Sequence, residues 1–157
     1  MKYMVKNKTL ALLSALSIMA CSNKPIAETD SKRLIFDHES MIVITTVINP
    51  KLETMAVLYG NKRAYQAALL ENDVHNPGEE YIYVTWKYIE NPRWFGSNIS
   101  KDLVSVERIR VKQDEEREYL VFDYRIEKGN PLPVNGVQLN KKARMDYIFE
   151  YRPSVLP

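Results

Sequence analysis

The sequence predicts an α+β domain: an antiparallel β-sheet of about five or six strands with one main helix, approximately residues 62–71. Three observations carry this. MIVITTVI (41–48) is a β-branched run closed by Asn49 and Pro50. EEYIYVTWKYIE (79–90) and REYLVFDYRIE (117–127) alternate with a period of two, placing Ile82, Val84, Trp86 and Tyr88 on one face of the first. Between the early strands, NKRAYQAALLEN (61–72) follows a helical period behind an asparagine suited to capping.

Taken from the N-terminus, the first element is a segment to be removed. Lys2, Lys6 and Lys8 precede an apolar run of roughly ten residues that ends at Ala20, the layout of a secretory leader. A membrane-spanning helix needs about 20 apolar residues, so this run is too short to be one. Ile18, Met19, Ala20 and Cys21 resemble the lipobox of bacterial lipoproteins. The resemblance implies that the Cys21 thiol receives a diacylglyceryl group, that residues 1–20 are cut away, and that the new N-terminus is acylated. Two or three acyl chains, at about 0.8 kcal/mol per buried CH₂, hold a protein on a bilayer where one chain is marginal. Ser22 after the cysteine resembles the signal for outer-membrane sorting, which implies a lipid-anchored protein of the bacterial envelope, facing the periplasm.

Removing residues 1–20, with their three lysines, takes the formal net charge from +2 to −1. That balance argues against nucleic acid or anionic lipid as a partner recognised by bulk charge. Cys21 is the only cysteine, so once it is acylated no thiol remains for a disulfide or a metal. SNKPIAETDS (22–31) is polar, contains one proline and lacks an apolar period; residues 21–31 read as a flexible tether. Residues 32–157 then form a single domain of ordinary size.

Within the domain, 41–48 reads as a strand covered on both faces. TMAVLYGN (54–61) fits either strand or helix until Gly60 and Asn61 punctuate it and open the main helix. NDVHNPG (72–78) breaks the chain before the Trp86 strand. Further strands are expected at LVSVERIRV (103–111), at 117–127 as a hairpin partner across the acidic link KQDEE, and at ARMDYIFEYR (143–152).

MAVLYGNKRAYQAA followed by NPGEEYIYVTW is similar to the cytochrome P460 family, through Gly60, Asn61 and Ala64, then Pro77, Gly78 and Trp86. The resemblance implies that family's α+β fold over residues 45–151. The family's chemistry rests on a c-type haem held by Cys-x-x-Cys-His, a motif this sequence lacks. The resemblance therefore implies the fold without covalent haem, and a shared fold says little about function.

Candidate site residues were sought in clusters. NPRWFGSN (91–98) sets Trp94 and Phe95 beside Arg93, which with Trp86 suggests a pocket rim offering a cation to a carboxylate-bearing ligand; closure of the core end is the competing reading. His38, with Asp37 and Glu39, and His75, with Asp73, are weak metal candidates. Seven tyrosines on expected strands fit half-buried sheet surface, or a stacking face for a planar ligand. No nucleophile elbow or phosphate loop is present, which leaves enzyme families bearing those motifs without support. Three functions follow: a non-catalytic domain binding a small ligand or a protein partner; a periplasmic redox or metal protein holding non-covalent haem or metal through His38 or His75; and a structural envelope protein. The first expects a pocket around Trp86, Trp94 and Phe95 with no convergent titratable pair. The second expects a histidine at a pocket with a carboxylate or carbonyl behind it.

Overall fold

A computed structural model describes residues 36–38, 40–70, 74–116 and 118–153. Cys21, the leader and the tether lie outside the described residues. The chain order is β1 (Ile42–Asn49), β2 (Thr54–Gly60), α1 (Lys62–Leu69), β3 (Glu80–Glu90), β4 (Asn98–Gln113), β5 (Leu120–Gly129) and α2 (Lys141–Phe149). The five strands form one antiparallel sheet in the order β1-β2-β3-β4-β5. Each strand thus pairs with its neighbour in sequence, and all described residues belong to one compact unit.

Local chemistry sets the turns. Asn49 Oδ1 accepts the Leu52 N–H and Glu53 takes a positive φ of 50°, which reverses β1 into β2. Asn61 caps α1 by accepting the Ala64 N–H at 2.9 Å, and its amide donates to the Gly78 carbonyl at 2.8 Å. Arg63 donates to the Pro77 carbonyl, so the first turn of α1 is tied to the turn that enters β3. The strand–helix junction is close because Gly60 lacks a side chain: a Cβ there would lie 2.7 Å from Ile44 Cδ1 and 2.9 Å from Ala64 Cβ. Gly129 ends β5 at a φ of +64°, where a Cβ would lie 1.8 Å from the Val104 carbonyl oxygen.

Alternation along the strands makes two faces. The inner face carries Ala56, Leu58, Tyr81, Tyr83, Ile109 and Val111, packed with Ala64 and Ala68 of α1 and Ile148 of α2. Leu58, Ile109, Val111 and Ile148 are at most 1% exposed. The opposite, outer face gathers Tyr59, Ile82, Val84, Trp86 and Val106, with Phe36, Met41 and Met55 against them. Toward β5 the outer face becomes a charged ladder in which Arg108 meets Glu80 and Glu127, and Asp123 meets Lys112 and Arg125. Although burial opposes it, hydrogen bonds from Arg108 and Arg110 hold the Glu80 carboxyl below its ordinary value.

Two expectations are corrected. The segment 143–152 is not a strand: α2 occupies Lys141–Phe149, so the domain has two helices rather than one main helix. Met145, Tyr147 and Phe149 mimic a period of two, but Asn140 caps the segment by accepting the Ala143 N–H, and the residues that bury are Arg144 and Ile148, four apart on one helix face. Nor is β1 covered on both faces. It is an edge strand whose Val43 and Ile48 are about half exposed, with Ile44 and Thr45 buried. The stretch left open between strand and helix, 54–61, is β2.

Candidate functional site

The residues nominated from sequence fall in separate places. Trp86 is buried in the outer-face cluster, opposite Met55 and Leu103 on the flanking strands. Arg93, Trp94 and Phe95 lie exposed in the β3–β4 turn, seven to nine residues farther along the chain, so Trp86 does not join them. His38 is exposed and stacks on Tyr59, with ring centroids 5.3 Å apart and planes 9° from parallel. Tyr59 belongs to the outer face, whereas His75 lies on the inner side against Tyr81, Phe122 and Phe149; the two histidines do not converge.

His75 has the more organised surroundings. The break before β3 delivers it to the sheet, and the Pro77–Gly78 turn, held by the Gly78 N–H to Val111 carbonyl bond of 2.8 Å, returns the chain so that Glu79 sits beneath it. His75 Nδ1 is 2.7 Å from Glu79 Oε2, and Glu79 is 1% exposed. The Asn76 N–H donates to Glu79 Oε1 at 2.6 Å, and the Tyr81 hydroxyl donates to Oε2 at 2.9 Å. A carboxylate already receiving these donors is an acceptor, which assigns the Nδ1 position a proton and leaves Nε2 the lone pair. Among the described residues Nε2 has no hydrogen-bond partner. Burial first, and the adjacent Glu79 carboxylate second, push the Tyr81 phenol well above its ordinary value, so it stays a donor.

Three aromatic rings fix the imidazole: Phe149 at 4.2 Å, Phe122 at 5.4 Å edge-on and Tyr81 at 6.1 Å edge-on between centroids. His75, Phe122, Met145 and Phe149 wall a cavity of about 460 Å³ between β5 and α2, and Lys142, Asp146, Glu150 and Arg152 line it as well. That volume falls within the ~300–1,000 Å³ typical of small-molecule sites, and the lining divides between apolar Phe122, Met145 and Phe149 and the titratable side chains. Lys142 and Asp146 pair with each other at 2.9 Å.

A second carboxylate is buried further along the same face. Glu107 is fully buried and accepts from Arg144 Nε and Nη2, both at 2.7 Å, and from the Tyr124 hydroxyl at 2.7 Å, with Ser105 Oγ 3.3 Å away. The Arg144 guanidinium also lies over the Tyr147 and Tyr83 rings, 5.2 and 5.7 Å from their centroids. Burial raises the Tyr83, Tyr124 and Tyr151 phenols, and Glu107 adds to the effect at Tyr124. Arg144, Tyr83 and Tyr147 border a smaller cavity of about 210 Å³.

Sequence reasoning placed carboxylates beside His75 at Asp73 and beside His38 at Asp37 and Glu39. Asp73 and Glu39 lie outside the described residues, and the partner found is Glu79. A signal existed: His75 and Glu79 are four apart around a Pro-Gly turn, the spacing at which a reversal brings two side chains together. Among the described residues no group of three or more His, Cys, Asp and Glu side chains comes together, and no helix is long and apolar enough to cross a membrane. No family model matches the chain, and no curated protein matches it either.

Proposed function

We propose that this is an exported, lipid-anchored protein of the bacterial envelope whose domain binds a small, largely apolar ligand in the cavity between β5 and α2. His75 supplies the single oriented polar contact. The observation that carries the reading is the His75–Glu79 pair at the wall of that cavity. A buried carboxylate behind an imidazole fixes its tautomer and rotation, which serves a residue that must present one nitrogen to something else. Phe122, Met145 and Phe149 offer faces and a thioether to a flat or aliphatic body. The anchor rests on the Ile18–Cys21 motif, and the P460 resemblance supplies a fold relationship without its haem attachment. The role is binding rather than catalysis.

One observation favours a second reading, a non-covalent haem or a metal ligated by His75. An imidazole with Nδ1–H on a carboxylate and Nε2 open is the usual state of a metal-ligating histidine. The donor set fits: one nitrogen, aromatic walls, and Lys142 and Arg152 nearby for acidic substituents. Bound there, iron would supply redox or gas-binding chemistry; His75, oriented by Glu79, would hold it and Phe122 and Phe149 would exclude water.

Titration of the mature protein with haemin and, separately, with iron-free protoporphyrin distinguishes the readings. Uptake of both, weakened to a similar degree in His75→Ala, supports a planar-ligand site in which His75 is the polar contact. Uptake of haemin alone, with a Soret shift lost in His75→Ala, supports ligation. Binding of neither, together with no response of Phe149→Ala, would remove the cavity as a site for planar ligands.

A further inference from the structure

The β3–β4 hairpin runs beyond the rest of the sheet. The last β2–β3 pair is Thr54 with Lys87, and the last β4–β5 pair is Ser105 with Gly129. Past them, Tyr88–Ser100, Ile89–Ile99 and Glu90–Asn98 form rungs of a two-stranded arm with no third strand beside it among the described residues. Register shifts around Trp86 bend the arm where it leaves the sheet. Its base is clasped by the β1–β2 turn, where the Tyr88 N–H donates to the Glu53 carbonyl at 3.0 Å and Lys87 Nζ to the Leu52 carbonyl at 2.6 Å.

The tip is ordered by its own hydrogen bonds. Asn91 N–H donates to Ser97 O at 2.8 Å, Ser97 N–H to Trp94 O at 3.2 Å, and Arg93 N–H to Asn91 Oδ1 at 3.0 Å. That turn displays Trp94 at 72% and Phe95 at 109% of full exposure, with Ile89 about half exposed behind them. A soluble surface rarely holds two neighbouring large aromatics outward on a fixed turn. From Tyr88 to Ser100 the arm carries one acid, Glu90, and one base, Arg93, so no net charge opposes an anionic surface.

We propose that this arm is a second membrane contact, with Trp94 and Phe95 seated in the headgroup–acyl interface of the bilayer that holds the lipid anchor; the inference rests on the anchor reading above. Tryptophan favours that interface because its ring is apolar and its N–H is wet. A convex tip of two side chains also lacks the ~800 Å² per partner of an ordinary protein interface. The tether is long enough. Phe36 packs near Tyr59, which pairs with Ile82, and Ile82 to Glu90 is eight residues, about 27 Å along the strand. The eleven residues of the tether, 21–31, span at most about 40 Å when extended, more than that distance, so the anchor leaves enough chain for the tip to touch a bilayer.

The test uses the two tryptophans as an internal pair. Acylated mature protein is placed in phosphatidylethanolamine–phosphatidylglycerol vesicles with and without brominated acyl chains, as wild type, Trp86→Phe and Trp94→Phe. Trp94 emission should shift to the blue and lose intensity with bromine, while Trp86 emission stays unchanged. If Trp86→Phe does not fold, the difference between wild type and Trp94→Phe gives the same quantity. Mass spectrometry of the N-terminus tests the anchor separately; were Cys21 free, coupling it to a maleimide lipid restores the tether and the quenching is read as before. Trp94 that remains unquenched and red-emitting on tethered protein overturns the proposal. So does a shift that appears only when an envelope protein is added, which would assign the tip to that partner.

Discussion

Two buried carboxylates on the inner face, Glu79 and Glu107, solve the same problem with opposite results. Glu107 faces a guanidinium whose fork it fills, and Arg144 is itself only 6% exposed, so the pair is almost wholly buried. Glu79 faces an imidazole that is 16% exposed and has a second nitrogen left over. The difference lies in the partner. A bidentate guanidinium spends its geometry on the carboxylate, whereas a histidine held through one nitrogen carries orientation outward to a cavity. The first pair pins α2 to the sheet; the second equips the space beside α2.

The sharpest way to break the comparison is to remove each carboxylate. Glu107→Ala strands Arg144 in a buried position and should cost about 3–5 kcal/mol in chemical denaturation, whereas Glu107→Leu with Arg144→Met should recover most of that loss. A double variant as unstable as the single one would show that the ion pair is not the lock. Glu79→Ala removes acceptors from Tyr81, Asn76 and His75, and should cost about 1–3 kcal/mol by the same measurement. Haemin or protoporphyrin binding should then weaken in Glu79→Ala and be spared in a Glu107 variant that still folds.

Alkaline titration separates the regions next. Phenols raised in the folded protein contribute stability in full below their unfolded value of about 10, and it is lost as pH rises past that value toward the folded one. Tyr83, Tyr124 and Tyr151 near Glu107 outnumber Tyr81 near Glu79. Denaturation midpoints should therefore fall above about pH 10, and Tyr124→Phe should flatten the fall more than Tyr65→Phe, a tyrosine of α1 outside both sites. The smallest effect is expected at the arm. Trp94→Ser should leave stability within about 0.5 kcal/mol, since an exposed turn residue buries little; a larger loss by thermal melting would show that the tip packs on something within the chain.

The sheet was legible because its strands advertise themselves. Alternation in 79–90 and 117–127, and the turn residues Gly60, Asn61, Pro77 and Gly78, depend only on neighbours in sequence. What stayed hidden depended on contacts between distant segments. α2 read as a strand because Met145, Tyr147 and Phe149 occupy alternate positions, and only the docking of Arg144 onto Glu107, 37 residues earlier, selects the helix. Glu79 stood only as the first residue of the 79–90 strand, beside Glu80, although Glu79 enters the inner face and Glu80 the charged ladder outside. The parity of Ser105, Glu107, Ile109 and Val111 did place Glu107 among inward positions, a signal that Glu79 shared through Tyr81 and Tyr83.

The strand order also determines what the chain experiences while it is being made. A meander pairs each strand with the one just completed, so the sheet can assemble from its beginning, but Ile148 and Arg144 arrive only after all five strands. Until they do, the inner face is an apolar surface carrying Glu107 without its arginine, and a polar group there penalises stacking of one unfinished sheet on another. The residue that locks the finished domain is thus expected to keep the unfinished one dispersed. Chains ending at Asn140 should remain dispersed with Glu107 in place and aggregate when it is replaced by leucine, a contrast that light scattering would register directly.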